Sequence, residues 1–201
     1  MGKIKATIAG GTGYTAGELI RILINHPEVE ITNVMSTTQV GDMVSGIHRD
    51  LYGDCDLRFT DQVGEPDVLF LCLGHGISRE FLSTHNISEK CRIVDLGNDF
   101  RIESNFMNRE FVYGLCEMNR ESIKGCCSVA NPGCFATAIQ LGLLPLAKAG
   151  LLNDIYTTGI TGSTGAGQTL STTSHFSWRA NNIQAYKTLS HQHLGEIGES
   201  L

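Results

Sequence analysis

Apolar and polar residues follow two different periods along residues 3–149, one typical of strands and the other of helices. Residues 67–73 (DVLFLCL) form a continuous apolar run, as expected for a strand that is buried on both faces. Residues 16–25 instead place leucine and isoleucine side chains at helical spacing, and Pro27 ends that pattern. The predicted strands are residues 3–9, 29–35, 67–73, 91–96 and 125–130. The predicted helices are residues 16–25, 78–83 and 135–149, the last of them broken near Pro145.

This alternation of strands and helices predicts an α/β fold, a parallel, doubly wound sheet of the Rossmann type with right-handed crossovers. The pattern changes after Gly150. The segments predicted there are a strand at 155–161, a glycine-rich loop at 162–167 and an extended stretch at 182–192. We therefore predict two domains, residues 1–150 and residues 151–201, of which the second is the beginning of an α+β domain.

Charge and cysteine content exclude several classes of protein. The formal net charge is −6 and no basic stretch is present, which argues against nucleic-acid binding. The apolar run Val68–Leu73 is far shorter than the ~20 residues that a membrane-spanning helix needs. The seven cysteines form no Cys-x-x-Cys pair, so neither a disulfide framework nor a zinc site is expected. Reduced thiols of this kind are typical of a cytoplasmic protein.

A glycine-rich segment, GGTGYTAG at residues 10–17, lies between the first predicted strand and the first predicted helix. This is the context that a dinucleotide-binding fingerprint requires, with Gly11 and Gly13 allowing the backbone to approach a pyrophosphate and Ala16 allowing the helix to pack closely on the strand. A plain glycine turn is the alternative. The candidate cofactor-binding residues are Gly10, Gly11, Thr12, Gly13, Tyr14, Thr15 and Ala16.

The end of the second predicted strand bears on which dinucleotide is bound. NAD enzymes usually place Asp or Glu there to bind the ribose 2′-hydroxyl. Here Met35 is followed by Ser36, Thr37 and Thr38, so an acid is absent and hydroxyl groups are present. This favours NADP, with Ser36 and Thr37 as candidate contacts to the 2′-phosphate. A polar loop without a cofactor role is the alternative.

Cys134 follows an Asn-Pro-Gly turn and precedes a predicted helix. A thiolate at a helix N-terminus is stabilised by the helix dipole and by unpaired N–H groups, and the same groups can stabilise an oxyanion. A small buried side chain is the ordinary role of a free cysteine, and this alternative fits Cys72 and Cys91 within strands better than Cys134.

His191 and His193 are separated by one residue in a segment predicted to be extended, where such residues point to the same face. Either imidazole can serve Cys134 as base and then as acid. A metal site is the rival interpretation, but no third ligand has suitable spacing, and surface histidines are a further alternative. The loop Gly162–Gly167 suits a phosphate or, equally, a flexible hinge.

Several short motifs together resemble the N-acyl-γ-glutamyl-phosphate reductases of arginine biosynthesis, which belong with the aspartate-semialdehyde dehydrogenases. The resemblance extends over nearly all 201 residues, and Asn131-Pro132-Gly133-Cys134 is its most specific part. The other motifs are residues 10–16, Gly17-Glu18-Leu19, His26-Pro27, residues 95–101 (DLGNDFR), Tyr113-Gly114-Leu115, residues 162–167, and His191-Gln192-His193 with Glu196-Ile197.

The resemblance implies roles for particular residues. Cys134 matches the nucleophilic cysteine, and either His191 or His193 matches the histidine that works with it. Ser163 and Gly165 match a loop near cofactor and substrate, and His75 lies in a segment that lines the nicotinamide cleft. The implied substrate carries a carboxylate besides its phosphate, and the candidate substrate-binding residues are Arg101, Asn131, Arg179 and Lys187. A solvated surface charge is the alternative for each charged residue, and it is favoured for Arg109.

The implied reaction is the NADPH-dependent reduction of an N-acyl-glutamyl phosphate to its semialdehyde, through a thioester on Cys134. A homo-oligomer, dimer or tetramer, is expected when the protein is full length. Family members have ~300 residues or more, in line with two full domains, so this chain is expected to be an N-terminal fragment. The family commonly has Gly at the position of Ala16 and Pro at the position of Cys116.

Three rival functions remain open at this point. The first is a semialdehyde dehydrogenase acting on β-aspartyl phosphate, and the second is a non-catalytic NADP-binding regulator. The third is a thiol acyltransferase or hydrolase without redox chemistry, which the dinucleotide loop disfavours.

Overall fold

The computed structural model describes residues 2–201, and its backbone contacts divide the chain into two compact units. The first comprises residues 1–132 and the second residues 133–201. The division therefore falls after Pro132 and not near Gly150, where the sequence pattern predicts a boundary. The helix that begins at Cys134 belongs to the second unit because it packs against that unit's last helix.

A seven-stranded sheet forms the centre of the first unit, and all its strand pairs are parallel. Its strands are β1 (Ile4–Ala9), β2 (Val29–Met35), β3 (Phe59–Thr60), β4 (Val68–Leu71), β5 (Arg92–Asp95), β8 (Val112–Tyr113) and β9 (Ser128–Ala130). The spatial order is β3-β2-β1-β4-β5-β9-β8, and β6 (Asn105–Phe106) and β7 (Arg109–Glu110) form a separate antiparallel pair. The predicted doubly wound α/β fold is confirmed.

Helices cover both faces of this sheet. They are α1 (Tyr14–Leu23), α2 (Val44–Ile47), a 3-10 turn (Arg49–Leu51), α3 (Ser78–Thr84) and α4 (Cys116–Gly125). Ile20 and Leu23 of α1 pack with Ile8 on one face, whereas Leu82 of α3 packs with Leu69 and Leu71 on the other. The spacing that predicts the first helix is therefore the spacing that buries its apolar side.

The strand order reverses between β1 and β4, which are neighbours in the sheet. From β1 the chain continues to β2 and β3 on one side, and from β4 it continues to β5 on the other side. Loops at the carboxyl ends of such a pair form a crevice, which is where open α/β sheets bind ligands. The loop after β1 is the glycine-rich segment beginning at Gly10, and the loop after β4 contains His75. The fold thus brings two of the predicted cofactor segments to the same edge of the sheet.

The second unit is built around two helices, α5 (Cys134–Lys148) and α7 (His193–Gly198), which pack against each other. Between them lie 3-10 turns at Ser163–Ala166 and Thr172–Ser174 and the short helix α6 (Phe176–Arg179). The prediction that α5 breaks near Pro145 is wrong, because the helix continues through that residue to Lys148. Proline removes one N–H donor, and it is tolerated here in the last turn.

The predicted strand at residues 155–161 is also wrong. Residues 133–201, all of which are described, contain no strand, so this segment has no neighbour to complete a hydrogen-bonded ladder. The segment 182–192 is not a regular extended stretch either, since Lys187 and Leu189 have φ angles of 45° and 55°. None of the helices within residues 2–201 has the length and apolar character needed to cross a bilayer.

Candidate active site

The glycine loop after β1 is packed tightly against the neighbouring strands. Gly10 has φ +80°, and a Cβ on it would lie 2.5 Å from the carbonyl oxygen of Cys72. A Cβ on Gly11 would lie 2.3 Å from Cγ1 of Val34. Gly13, the N-cap of α1, has more room, since its nearest neighbour for a Cβ is 3.6 Å away. The loop thus opens towards solvent at the start of a ten-residue helix, an arrangement that fits a pyrophosphate.

These environments predict that two alanine substitutions in the loop affect different properties, one the stability of the protein and the other its affinity for NADPH. Gly10→Ala should lower the free energy of unfolding by about 2–5 kcal/mol, because it combines a left-handed φ with a backbone clash. Gly13→Ala should leave stability within about 1 kcal/mol of the parent but weaken NADPH binding about tenfold or more, because its methyl group occupies the position where the backbone approaches the pyrophosphate.

Denaturant unfolding and fluorescence titration with NADPH measure the two effects separately. The two variants serve as controls for each other, since they make the same chemical change three residues apart. Equal stability losses in both variants would contradict the packing difference between Gly10 and Gly13.

At the end of β2, Ser36 is buried and its Oγ accepts hydrogen bonds from the backbone N–H groups of Thr38 at 3.3 Å and Gln39 at 3.2 Å. Its hydroxyl therefore shapes the turn, whereas the side chain of Thr37 is exposed. Residues 36–40 contain no carboxylate that would repel a 2′-phosphate.

The loop after β4 is held by Asp99, which sequence reasoning gave no role. The N–H of Gly76 donates to Oδ1 of Asp99 at 2.7 Å, and the N–H of Arg79 donates to Oδ2 at 3.1 Å. His75, at the tip of this loop, is exposed. The carboxylate thus joins the loop to the first turn of α3.

Two further residues of the 95–101 motif hold the turn that precedes the cysteine. The carbonyl oxygen of Asp95 accepts from the N–H of Asn131 at 2.7 Å, and Nε of Arg101 donates to the carbonyl oxygen of Asn131 at 2.9 Å. Oδ1 of Asp95 accepts from the hydroxyl of Ser78 at 2.6 Å, and burial raises the pKa of the Asp95 carboxyl. Arg101, which the sequence predicts to bind substrate, contacts the backbone of Asn131 in the structure.

Cys134 is the first residue of the fifteen-residue helix α5, and its side chain is exposed. The N–H of the preceding residue, Gly133, donates to Oε1 of Glu196 at 2.7 Å. Gln140 on α5 donates from Nε2 to the carbonyl oxygen of Glu196 at 3.1 Å and to the hydroxyl of Ser200 at 2.9 Å. These contacts hold α7 against α5, at the residue before Cys134 and at Gln140 in the middle of the helix.

Both histidines lie at the beginning of α7, close to the helix that starts with Cys134. Their ring centroids are 4.6 Å apart, and each ring makes an edge contact with Phe135, the residue after the cysteine. The backbone N–H of His193 donates to Nδ1 of His191 at 3.2 Å. The two rings come together through this turn into α7, and not through the extended strand geometry that the sequence predicts.

The two rings differ in their surroundings. His193 is 6% exposed, whereas His191 is half-buried, and burial together with the Lys187 ammonium lowers the pKa of His191. Tyr186 makes an edge contact with His191 at 5.8 Å, and burial, followed by the charge of Cys134, raises the pKa of Tyr186. Cys134, Tyr186 and both histidines therefore form one cluster in the second unit.

The remaining predicted residues lie elsewhere in the second unit. Ser163 and Gly165 belong to an exposed 3-10 turn, and a Cβ on Gly165 would meet nothing within 4 Å. Arg179 ends α6 and is partly buried, and Nζ of Lys187 donates to Oε1 of Gln192. Within residues 2–201, no three His, Cys, Asp or Glu side chains lie close enough together to hold a metal ion.

Sequence reasoning missed the contacts of Glu196 and Gln140 that hold α7 against α5. The available signal for Glu196 was its place three residues after His193, a spacing that puts both side chains on one face of a helix. No comparable signal marks Gln140, because only the fold brings it to α7.

A doubly wound sheet with a glycine loop at its switch point, together with a thiol at a helix start beside histidines, defines a class of dinucleotide-dependent oxidoreductases. Residues 5–126 match the family model for the semialdehyde dehydrogenase NAD binding domain, and residues 134–201 match the semialdehyde dehydrogenase dimerisation domain. The chain belongs to the semialdehyde dehydrogenase family. The predicted nicotinamide-dinucleotide domain is thereby confirmed.

Curated relatives carry a more specific name. Proteins called N-acetyl-gamma-glutamyl-phosphate reductase from Christiangramia forsetii, Flavobacterium johnsoniae and Bacteroides fragilis are 57%, 56% and 55% identical over 98% of the chain. The chain spans 61–62% of the length of these relatives. The predicted resemblance to this group is confirmed.

Solved structures of aspartate semialdehyde dehydrogenases share the fold. Enzyme II from Vibrio cholerae matches with a TM-score of 0.58 and 15% identity, over 84% of this chain and 49% of that one. The protein from Francisella tularensis matches with a TM-score of 0.54 and 19% identity, over 73% and 41%.

Proposed function

We propose that this chain carries the catalytic cysteine and the cofactor domain of an NADP-dependent N-acyl-γ-glutamyl-phosphate reductase. The observation that carries the proposal is that His191 and His193 both contact Phe135, the residue that follows Cys134 at the start of α5. The names of the curated relatives support the choice of substrate class.

Cys134 begins the reaction as a nucleophile. Its thiolate sulfur attacks the acyl carbon of the acyl phosphate, a C–S bond forms, the C–O bond to phosphate breaks, and inorganic phosphate leaves. N–H groups in the first turn of α5 have no partners within the helix and can stabilise the oxyanion of the tetrahedral intermediate. The N–H of Gly133 is excluded from this role because Glu196 accepts it.

His193 handles the proton in the second half of the reaction. When NADPH is bound it supplies the hydride that reduces the thioester carbonyl carbon. His193 donates a proton to the resulting oxygen and takes it back as the C–S bond breaks, which releases the aldehyde and restores the thiolate. We assign His193 and not His191 because His193 is buried and lies one turn before Glu196, which binds the residue next to Cys134.

The cofactor proposed is NADP and not NAD. Support comes from the exposed hydroxyl of Thr37 and from the absence of a carboxylate in residues 36–40, at the end of β2. The cofactor loop at residues 10–16 and His75 complete the proposed dinucleotide contacts.

Arg179 and Lys187 are the proposed anchors for the substrate's carboxylate, and Asn131 and Arg101 are further proposed substrate contacts. Within residues 2–201, Nε of Arg179 is buried and makes no hydrogen bond, so a carboxylate would satisfy it. Ser163 and Gly165 remain proposed contacts of the phosphate or cofactor.

We further propose that the full-length protein is a cytoplasmic homo-oligomer. The segment 151–194 carries many large apolar side chains that are exposed, and such surfaces commonly mark protein interfaces. These residues include Tyr156, Ile160, Leu170, Phe176, Ile183 and Leu189, each more than 80% exposed. All seven cysteines are free thiols, as expected in a reducing compartment.

Two measurements test the proposed reaction. The first follows NADPH absorbance while the protein oxidises N-acetylglutamate semialdehyde with NADP, and the expected rate depends on added phosphate. The second uses mass spectrometry to detect the acyl group on Cys134 after the protein is mixed with the acyl phosphate in the absence of NADPH. Acylation on another residue, or a rate that is independent of phosphate, would contradict the proposal.

A further inference from the structure

His48 lies beneath the cofactor loop, although it is 37 residues away from it in sequence. It is 6% exposed and occupies the junction between α2 and the 3-10 turn that follows. Its Nε2 lies 2.8 Å from the carbonyl oxygen of Gly11. A carbonyl oxygen can only accept, so Nε2 carries the hydrogen and donates it.

A glycine in α1 makes room for this imidazole. A Cβ on Gly17 would lie 2.6 Å from Nδ1 of His48 and 2.7 Å from its Cε1, too close for any real contact. Gly17 also forms the first bond of the helix, with its N–H donating to the carbonyl oxygen of Gly13 at 3.0 Å. The ring therefore fills the space between the loop and the first turn of α1.

A salt bridge two residues further on holds the same segment to α1. Arg21 donates from Nε to Oδ2 of Asp50 at 2.5 Å and from Nη2 to Oδ1 at 2.7 Å. The bond to Arg21 lowers the pKa of Asp50 to about 2. His48 is therefore fixed by its own contacts and by a neighbouring anchor to the helix that the cofactor loop opens.

Both peptide groups of Gly11 are thereby oriented. Its N–H donates to the carbonyl oxygen of Met35 at 2.7 Å, and its carbonyl oxygen accepts from His48. In a trans peptide the C=O and N–H point in opposite directions, so the N–H of Thr12 is directed away from His48. In dinucleotide-binding loops the backbone approaches the pyrophosphate closely, so the orientation of this peptide group affects how the loop meets the cofactor.

We propose that His48 is a positioning residue for NADP, acting through its hydrogen bond to Gly11, and that Gly17 is required because it admits the imidazole. This inference rests on the proposed cofactor but on no other part of the proposed function. It predicts a defect in cofactor affinity that is separate from any loss of stability.

The test compares NADPH dissociation constants, measured by fluorescence titration, with thermal unfolding midpoints. His48→Ala should raise the dissociation constant about tenfold, because the orientation of the Gly11 peptide is lost. His48→Gln, whose amide nitrogen can replace Nε2 as donor, should bind within about threefold of the parent. His26→Ala, at an exposed histidine three residues after the end of α1, is the matched control and should change neither quantity by more than a small amount.

A second pair of variants tests the contact with Gly17. Gly17→Ala should weaken NADPH binding more than His48→Ala does, because the displaced imidazole loses its bond to Gly11 and also pushes against the loop. Gly17→Ala with His48→Ala should bind as His48→Ala does, and therefore more tightly than Gly17→Ala alone, because the methyl group then has space. This pair also serves if His48→Ala alone does not fold. A double variant that binds no better than Gly17→Ala would overturn the steric part of the proposal.

The outcomes separate this inference from the cofactor assignment. A parent protein that binds no NADPH would overturn both. A parent that binds NADPH, with a folded His48→Ala variant of unchanged affinity, would overturn only the role of His48. A His48→Gln variant as weak as His48→Ala would likewise show that the hydrogen bond is not responsible.

Discussion

Cys134→Ala is expected to lower the rate of phosphate-dependent NADP reduction by about 10⁴-fold or more, which is roughly the loss that follows removal of a covalent nucleophile. The reason is that the variant has no thiolate to form the acyl intermediate. The same variant should gain no acyl mass when it is mixed with the acyl phosphate. NADPH affinity should be unchanged, because the cofactor loop lies in the other structural unit. Steady-state rates, intact-mass measurement and fluorescence titration check the three parts in turn.

Cys127→Ala is the matched control for this experiment. Cys127 is also an exposed free thiol, but it precedes a strand and does not begin a helix. It should retain full activity and full acylation. Equal losses in the two variants would indicate a general effect of thiol removal and would remove the special role assigned to Cys134.

Several helices and strands were predictable because each of them meets its own burial requirement locally. The predicted strand at 29–35 coincides with β2, and the predicted helix at 135–149 lies one residue from α5. In both, apolar spacing along the chain is the same as the pattern of buried positions in the fold. Periodicity alone is a sufficient signal in such cases.

The part of the second unit that follows α5 was less predictable because its segments lack that local signal. Residues 155–161 have strand-like composition, but a strand also needs a neighbour, and residues 133–201 provide none. The α7 helix has only six residues, and its position is set by the hydrogen bonds that Glu196 accepts from Gly133 and from Gln140 of α5. Contacts of this kind join residues 56 to 63 positions apart and leave no trace in local periodicity.

The residues of the candidate site also differ in how far the sequence predicts them. The glycine loop, Cys134 and the histidine pair were identifiable from the sequence, because their chemistry depends on residue type next to a strand or helix end. The supporting residues Asp99 and His48 were not, since each binds a backbone group far away in sequence. The glycine at position 17 was noticed only as part of a motif, and the structure supplies its physical reason.

The structure also gives His191 and His193 different surroundings, whereas the sequence offers no way to choose between them. Nδ1 of His191 accepts a backbone hydrogen bond from His193, and its ring is half-buried next to Lys187. His193 is 6% exposed and shares the first turn of α7 with Glu196, whose carboxylate binds Gly133. These surroundings support His193 as the proposed acid–base residue.

His193→Ala is accordingly expected to lower turnover by about 10²–10⁴-fold, the range for loss of a general acid–base group, whereas His191→Ala should lower it less than tenfold. Acylation of Cys134 in the absence of NADPH should be slowed less than overall turnover in His193→Ala, because the thiolate attacks without needing the later proton transfers. Steady-state rates and quenched-flow mass measurement on both variants make the comparison. A larger loss in His191→Ala than in His193→Ala would transfer the acid–base role to His191 and leave His193 as part of the packing between α7 and α5.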